Sequence, residues 1–347
     1  MINALDLSPA DWKEALSAMG EPAFRAGQVF SWLHKGVDFS EMGNLPAALR
    51  QKLARTYDAQ AVVIAEKFVS AQDGTVKYLF RLHDGNLIEG VRMRYHHGDT
   101  LCISTQVGCR MGCAFCASTL DGCARNLSSG EMLGQIIAAN RDEAKIHNVV
   151  LMGSGEPLDN YDNTIRFLRM LREKGGLELS LRSVSVSTCG LISRIQRLAD
   201  EGLPVTLSTS LRAPDDDMRR ELMPVAASNP MDALLDACRY YIEKTGRRVI
   251  FEYALISGVN CETRHARMLA GRLRGMQCHV NLIPLNPVPE RGLPGATREE
   301  ILAFEQTLAQ HHISATRRRE MGRDISGACG QLRRRYQTEK NEGNDAQ

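Results

Sequence analysis

The chain has 347 residues, 43% of them hydrophobic and 24% charged, with 43 basic against 41 acidic side chains and a formal net charge of +2. That length allows one large core plus a smaller module, and the composition excludes a disordered or fibrous chain. No run approaches the roughly 18 apolar residues of a membrane span. The opening MINALDLSPADWKEAL lacks the basic stretch and apolar run of a signal peptide. The 10 cysteines therefore read as cytoplasmic thiols with metal or redox work rather than as a disulfide framework. The charge is uneven. Between Ala315 and Tyr336, Arg317, Arg318, Arg319, Arg323, Arg333, Arg334 and Arg335 face only Glu320 and Asp324. Such clustering is either a footprint for phosphates or a solvated basic tail.

In chain order, residues 1–58 predict a small helical module, from the periodic apolar positions of AFRAGQVFSWLHKGV and LPAALRQKLARTY. Over 59–97 the pattern changes to alternation. There YLFRLHDGNLIEGVRMRY carries Asp84-Gly85 between two strand-like runs, which predicts a β-hairpin linking the module to the core. From 98 to 337, LCISTQ, NVVLMG, RSVSVS, PVTLST, VIFEYAL and HVNLIP read as strands, each followed by a loop and a helix. Ser128 and Glu131 form a capping box before the first of these helices. Further helices fit 160–174, 192–202, 230–244, 262–274 and 297–311. Six βα units predict an α/β fold, a partial (β/α)6 barrel with its site at the C-terminal ends of the strands. Residues 338–347 read as a disordered tail.

Cys109, Cys113 and Cys116, in VGCRMGCAFCAS, are separated by three and then two residues and follow the first barrel strand. Thiolates select iron–sulfur clusters or zinc. A four-iron cubane held by three local cysteines leaves one iron open to a substrate. Zinc held by cysteines usually takes two CxxC-like pairs, and no second pair exists in this chain. The remaining reading is that of small buried apolar residues.

This CxxxCxxC after the first strand resembles the radical S-adenosylmethionine superfamily. GSGEPLDN at 153–160, STCG at 187–190, TSLRAP at 209–214, LIPLNP at 282–287 and ACGQL at 328–332 resemble, within it, the RlmN/Cfr family of radical RNA-adenine methyltransferases, along nearly the whole chain. The resemblance implies methylation at C2 of an adenine in the peptidyl transferase centre of 23S rRNA and of an adenine beside the tRNA anticodon. C2 lies between two ring nitrogens and is too electron-poor to attack a methyl donor, so a radical route is needed. By the same resemblance Cys109, Cys113 and Cys116 hold one [4Fe-4S] cluster, whose free iron binds S-adenosyl-L-methionine. Cys329 becomes the methyl carrier, Cys102 closes a transient disulfide with it, and Glu89 accepts the proton from C2. The implied S-adenosylmethionine contacts are Gly155, Glu156, Ser187, Ser210, Leu211, Arg212 and Asn286. Arg212 stands where the family usually has His, and Ser326-Gly327 where it more often has Asp-Ala. The implied partners are 23S rRNA, tRNA and an electron donor such as flavodoxin; the protein is expected to act as a monomer.

Taken singly, these residues have plainer readings: Cys102 as a core residue, Glu89 as a solvent-facing carboxylate, Cys329 as a surface thiol. Cys123, Cys189, Cys238, Cys261 and Cys278 match no role and read as structural. Arg25, Lys35 and Arg50 join the C-terminal arginines as candidate phosphate contacts. The adenine must be unpaired or flipped to enter a barrel mouth. Alternatives are the C8-directed branch, which shares the cysteines but tends to Ala where this chain has Pro157, a noncatalytic RNA-binding protein with a structural metal site, and a radical enzyme acting on a small molecule or protein.

Overall fold

The structure is a computed structural model, and it describes residues 1–325 apart from Glu143 and Pro287. Three helices open the chain: α1 (Pro9–Ala18), α2 (Arg25–His34) and α3 (Ala47–Thr56). Proline at the first turn and a capping box start α1, with Ser8 N–H donating to the Asp11 carboxylate at 2.8 Å and Asp11 N–H to Ser8 Oγ at 3.2 Å. Their apolar faces bury Trp12, Leu16, Val29, Phe30 and Leu33. Ile2–Asn3 pairs in parallel with Tyr57–Asp58 and ties the two ends of this stretch together.

The rest of the chain builds one ten-stranded sheet whose spatial order follows the sequence: β1 (Val62–Val69), β2 (Val76–Leu82), β3 (Leu87–Tyr95), β4 (Gly98–Cys102), β5 (Ile146–Leu151), β6 (Val184–Thr188), β7 (Thr206–Ser210), β8 (Val249–Leu255), β9 (Cys278–Pro284) and β10 (Ala315–Arg317). The first four pair antiparallel and β4 to β10 pair in parallel. Helices α4 (Ser129–Arg141), α5 (Tyr161–Leu171), α6 (Ile192–Asp200), α7 (Asp216–Leu222), α8 (Met231–Thr245), α9 (Thr263–Leu273) and α10 (Arg298–Gln310) fill the crossovers. Along each parallel strand one face packs under the helices, as Val249, Phe251, Tyr253 and Leu255 of β8 do, all fully buried, while Val184 and Val186 of β6 alternate with partly exposed Ser185 and Ser187. Module and sheet share one contiguous apolar core.

The expected six-unit α/β barrel is present, with differences. The hairpin at Asp84-Gly85 exists as β2–β3, but β1 joins it and β3 pairs with β4, so this region continues the barrel sheet rather than linking to it. LCISTQ is not one strand. β4 ends at Cys102, and Gln106–Gly108 turns into a separate two-stranded hairpin with Cys123–Asn126 that closes the base of the cysteine loop. A seventh parallel strand, β10, and the short helix α7 carry no strong periodicity and were not expected.

Candidate active site

The C-terminal ends of the parallel strands surround a cavity of about 480 Å³. Cys102 enters it from β4, Ser187 from β6 and Ser210 from β7; Cys109, Cys113 and Cys116 from the cysteine loop, and Gly155, Glu156, Arg212 and Asn286 from the crossover loops, line it as well. Leu211 does not. It is fully buried in the core, and its N–H donates to the Glu252 carbonyl at 3.1 Å. Cys329, with Ser326 and Gly327, lies outside the described residues.

Backbone anchors shape the cysteine loop. Cys109 N–H donates to the Gly122 carbonyl at 2.7 Å, and Ala114 N–H to the Leu222 carbonyl at 2.9 Å. Thr119 Oγ1 donates to the Cys116 carbonyl at 2.9 Å and accepts from Arg291 Nη2 at 2.7 Å. Burial, then the neighbouring thiols, push Cys109 and Cys113 up to about 12. The Arg212 charge opposes this rise at Cys113 without cancelling it, and iron would supply further positive charge at the sulfurs. Among the described residues no three His, Cys, Asp or Glu side chains converge to grip a single metal ion. A cubane, whose thiolates each take a different iron, does not require that convergence, so the donor set fits a cluster.

Gly155 has φ +104°, and a Cβ there would lie 2.6 Å from the Gln106 backbone nitrogen, so only glycine lets this turn approach. Gln106 in turn fixes the loop: its Oε1 accepts from Glu156 N–H at 2.8 Å and its Nε2 donates to Asp159 at 2.7 Å. Burial raises Glu156 above the usual carboxylate range, against the N–H groups of Cys189 at 2.7 Å and Leu158 at 3.0 Å that its oxygens accept. This carboxylate therefore braces the ends of β5 and β6. Arg212 has φ +63° and places its guanidinium 5.0 Å over the Phe115 ring, between two cluster cysteines in sequence. Its Nη2 donates to Ser210 Oγ at 3.3 Å, and burial lowers its pKa.

Glu89 is buried on β3, with Lys77 Nζ at 3.7 Å, so the plain reading of a solvent-facing carboxylate is wrong. It does not line the cavity, although Val91 and Met93 on the same strand face do. Val91 is also the register partner of Cys102. Arg25 pairs with Glu21 at 3.0 Å and Arg50 donates to the Ser40 carbonyl, and Lys35, the exposed member of the expected basic trio, sets its ammonium 5.2 Å over the Trp32 ring. Three cavity residues escaped sequence reading. Cys189, read as structural, lines the cavity and packs in one small apolar cluster with Cys113. The lone charge within VIFEYAL, Glu252, was a visible signal; it is buried at the cavity wall and accepts from Asn281 at 3.1 Å. Glu320 lines the cavity together with Arg318 and Arg319 of the basic cluster.

Two family models match the chain: the radical SAM superfamily over residues 103–269 and the ribosomal RNA large subunit methyltransferase N-terminal domain over residues 2–58. The chain is 54% identical to the "Probable dual-specificity RNA methyltransferase RlmN" of Alkaliphilus oremlandii, covering 96% of this chain and 98% of that one. It is 49% identical to the protein of the same name from Clostridium tetani, with 97% of each covered. The crystal structure of a radical SAM methyltransferase from Sphaerobacter thermophilus superposes with a TM-score of 0.92 at 44% identity, covering 95% of this chain and 99% of that one. Matched from end to end by these relatives, and with its cysteine triad facing the cavity at the strand ends, the chain belongs to the RlmN family of the radical S-adenosylmethionine superfamily.

Proposed function

We propose that the protein methylates C2 of an adenine in the peptidyl transferase centre of 23S rRNA, and of an adenine beside the tRNA anticodon. The observation that carries this reading is the single cavity that gathers Cys102, the three cluster cysteines and the strand-end polar residues. Cys109, Cys113 and Cys116 hold a [4Fe-4S] cluster, and Gly155, Glu156, Ser187, Ser210, Arg212 and Asn286 surround S-adenosylmethionine, with Leu211 shaping the turn from beneath. When bound, the two cofactors supply the one-electron chemistry that generates an adenosyl radical.

The chain's own residues do the remainder. Cys329, four residues beyond the last described one, carries the methyl group. Cys102, buried at the cavity wall, forms a disulfide with Cys329 as the carbon–sulfur bond to the base breaks, and a flavodoxin-type donor returns both to thiols. Glu89, with the Lys77 ammonium 3.7 Å from its carboxylate, accepts the C2 proton. Residues 1–58 act as an RNA-contacting module, 59–97 as a β extension and 98–337 as the catalytic core. Arg319, which is exposed and lines the cavity, suits a phosphate flanking a flipped base. The enzyme acts as a cytoplasmic monomer; among the described residues no helix is long and apolar enough to cross a membrane.

The test is an anaerobic reaction of reconstituted protein with reductant, methyl-labelled S-adenosylmethionine and a peptidyl-transferase-centre RNA fragment, read by nucleoside mass spectrometry. The expected product is 2-methyladenosine. Appearance of 8-methyladenosine would move the enzyme to the C8 branch; S-adenosylmethionine cleavage with neither product would overturn the RNA assignment.

A further inference from the structure

The sheet is open, with β10 at one edge and β1 at the other. The chain leaving β10 crosses this gap. Arg318 N–H still bonds the Leu282 carbonyl of β9 at 2.8 Å, Arg318 to Met321 line the cavity, and the following residues reach the β1–β2 turn at 70–75. There two carboxylates fasten it, one from each side. Asp73, on the turn, accepts Gly322 N–H at 2.9 Å with one oxygen and Thr75 N–H at 2.9 Å with the other. Asp324, on the crossing segment, accepts Ser70 Oγ at 2.6 Å and Ala71 N–H at 2.9 Å.

The sequence is built for this contact. Gly322 has φ +63°, and a Cβ on it would stand 3.0 Å from the Thr75 side chain, so the approach requires glycine. Ser70 and Thr75 are both buried beneath the segment. Against burial, the donated N–H groups bring Asp73 down to about 2, and hydrogen bonding from Ser70 lowers Asp324 as well. Both therefore stay ionised, and the bonds stay charge-assisted, across the range in which enzymes work.

We infer that Asp73 and Asp324 are positioning residues: they form a reciprocal clasp across the open side of the barrel that fixes the residues from which the chain continues to Cys329. This inference rests on the role proposed for Cys329. A clasped segment delivers the carrier sulfur to one place, so that radical formation is followed by methyl transfer; a released segment lets radical formation run without it.

The test compares wild-type holoenzyme with Asp73→Asn, Asp324→Asn and the double variant. Asp73→Asn keeps the side chain's shape but turns an NH2 toward one of the two backbone N–H groups the carboxylate accepted, and Asp324→Asn keeps an oxygen for Ala71 N–H but removes the charge that strengthens both of its bonds. Hydrogen exchange at the Gly322 and Ala71 amides reads the clasp directly and needs no turnover. The ratio of 5'-deoxyadenosine to methylated adenine reads the positioning, and iron content and Tm report integrity, which the clasp leaves unchanged. In the double variant both amides should exchange faster, and the ratio should rise about fivefold, as the loss of charge-assisted bonds implies. Unchanged exchange at both amides overturns the clasp. Faster exchange with an unchanged ratio overturns its positioning role. If the wild type yields no methylated adenine, the functional reading fails, and the exchange data still decide whether the clasp exists.

Discussion

The N-terminal module and the strand-end cavity grow from one apolar core, yet they use burial in opposite ways. In the module, Trp12, Leu16, Phe30, Leu33 and Leu53 are buried against one another, and among the described residues of that stretch the buried titratable side chains are His34 and Tyr57. Around the cavity, Glu156, Glu252 and Cys189 are buried side by side with Cys109 and Cys113. Burying polar groups costs free energy unless partners satisfy them. A fold needing only stability would fill the cavity wall with leucine, as it does in the module; buried polar groups gathered around an open cavity mark where a ligand completes the structure.

The largest expected effect falls on the cavity side. Cys113→Ala removes one thiolate from the triad, and anaerobic reconstitution followed by iron and sulfide analysis should show cluster content reduced to background and methyl transfer lost. The fold should survive, because alanine replaces a buried thiol without leaving a polar group unpaired. Full iron loading in this variant would mean that another thiol, with Cys189 at the same wall the first to examine, completes the cluster.

On the module side the next effect is purely one of packing. Trp12 is fully buried with its ring 4.9 Å from that of Tyr57, so Trp12→Ala should destabilise the protein by about 3–5 kcal/mol, measured by urea unfolding. Iron content per folded molecule should stay at the wild-type level. A proportional loss of iron would show that the module shapes the cavity as well as supporting the core.

The same division explains what could be read in advance. Regular βα units are legible because each repeats a local pattern: VIFEYAL, HVNLIP and the capping box at Ser128 and Glu131 all take the expected form. The cysteine triad is legible because its spacing is itself the chemistry. LCISTQ misleads because apolar alternation does not say where a chain leaves a sheet. Ile103 still bonds the Val150 carbonyl at 3.0 Å, but Gln106 already belongs to the hairpin under the cysteine loop. Ala315–Arg317 is a strand by docking against β9 rather than by propensity. The clasp is invisible in principle: Ser70 and Asp324 meet across 254 positions, and nothing local to either announces the other. Glu89 and Arg212 show the same limit, since burial beside Lys77 and stacking over Phe115 exist only once the sheet has formed.

The smallest expected effects separate the two regions by pH. Burial lowers His34 from its ordinary 6.5 to about 4, against its hydrogen bond to the Phe30 carbonyl. The folded protein thus holds it neutral while the unfolded chain takes up a proton first. Its stabilising contribution is complete above about 6.5 and declines as pH falls through 4. The cavity thiols behave in reverse. Cys109 and Cys113, raised from 9.0 to about 12, favour the fold below 9 and lose that contribution as pH rises through 12. Urea unfolding across pH should therefore show an acid decline and an alkaline decline in metal-free protein. Loading the cluster should shrink the alkaline decline by the share of Cys109 and Cys113, because iron-bound sulfurs are thiolates in the folded state already, and leave the share of the raised thiols Cys238, Cys261 and Cys278. The acid decline should persist in the loaded protein and flatten in His34→Leu. If loading instead flattened both, His34 would be coupled to the cavity, and the module would have to be counted as part of the site.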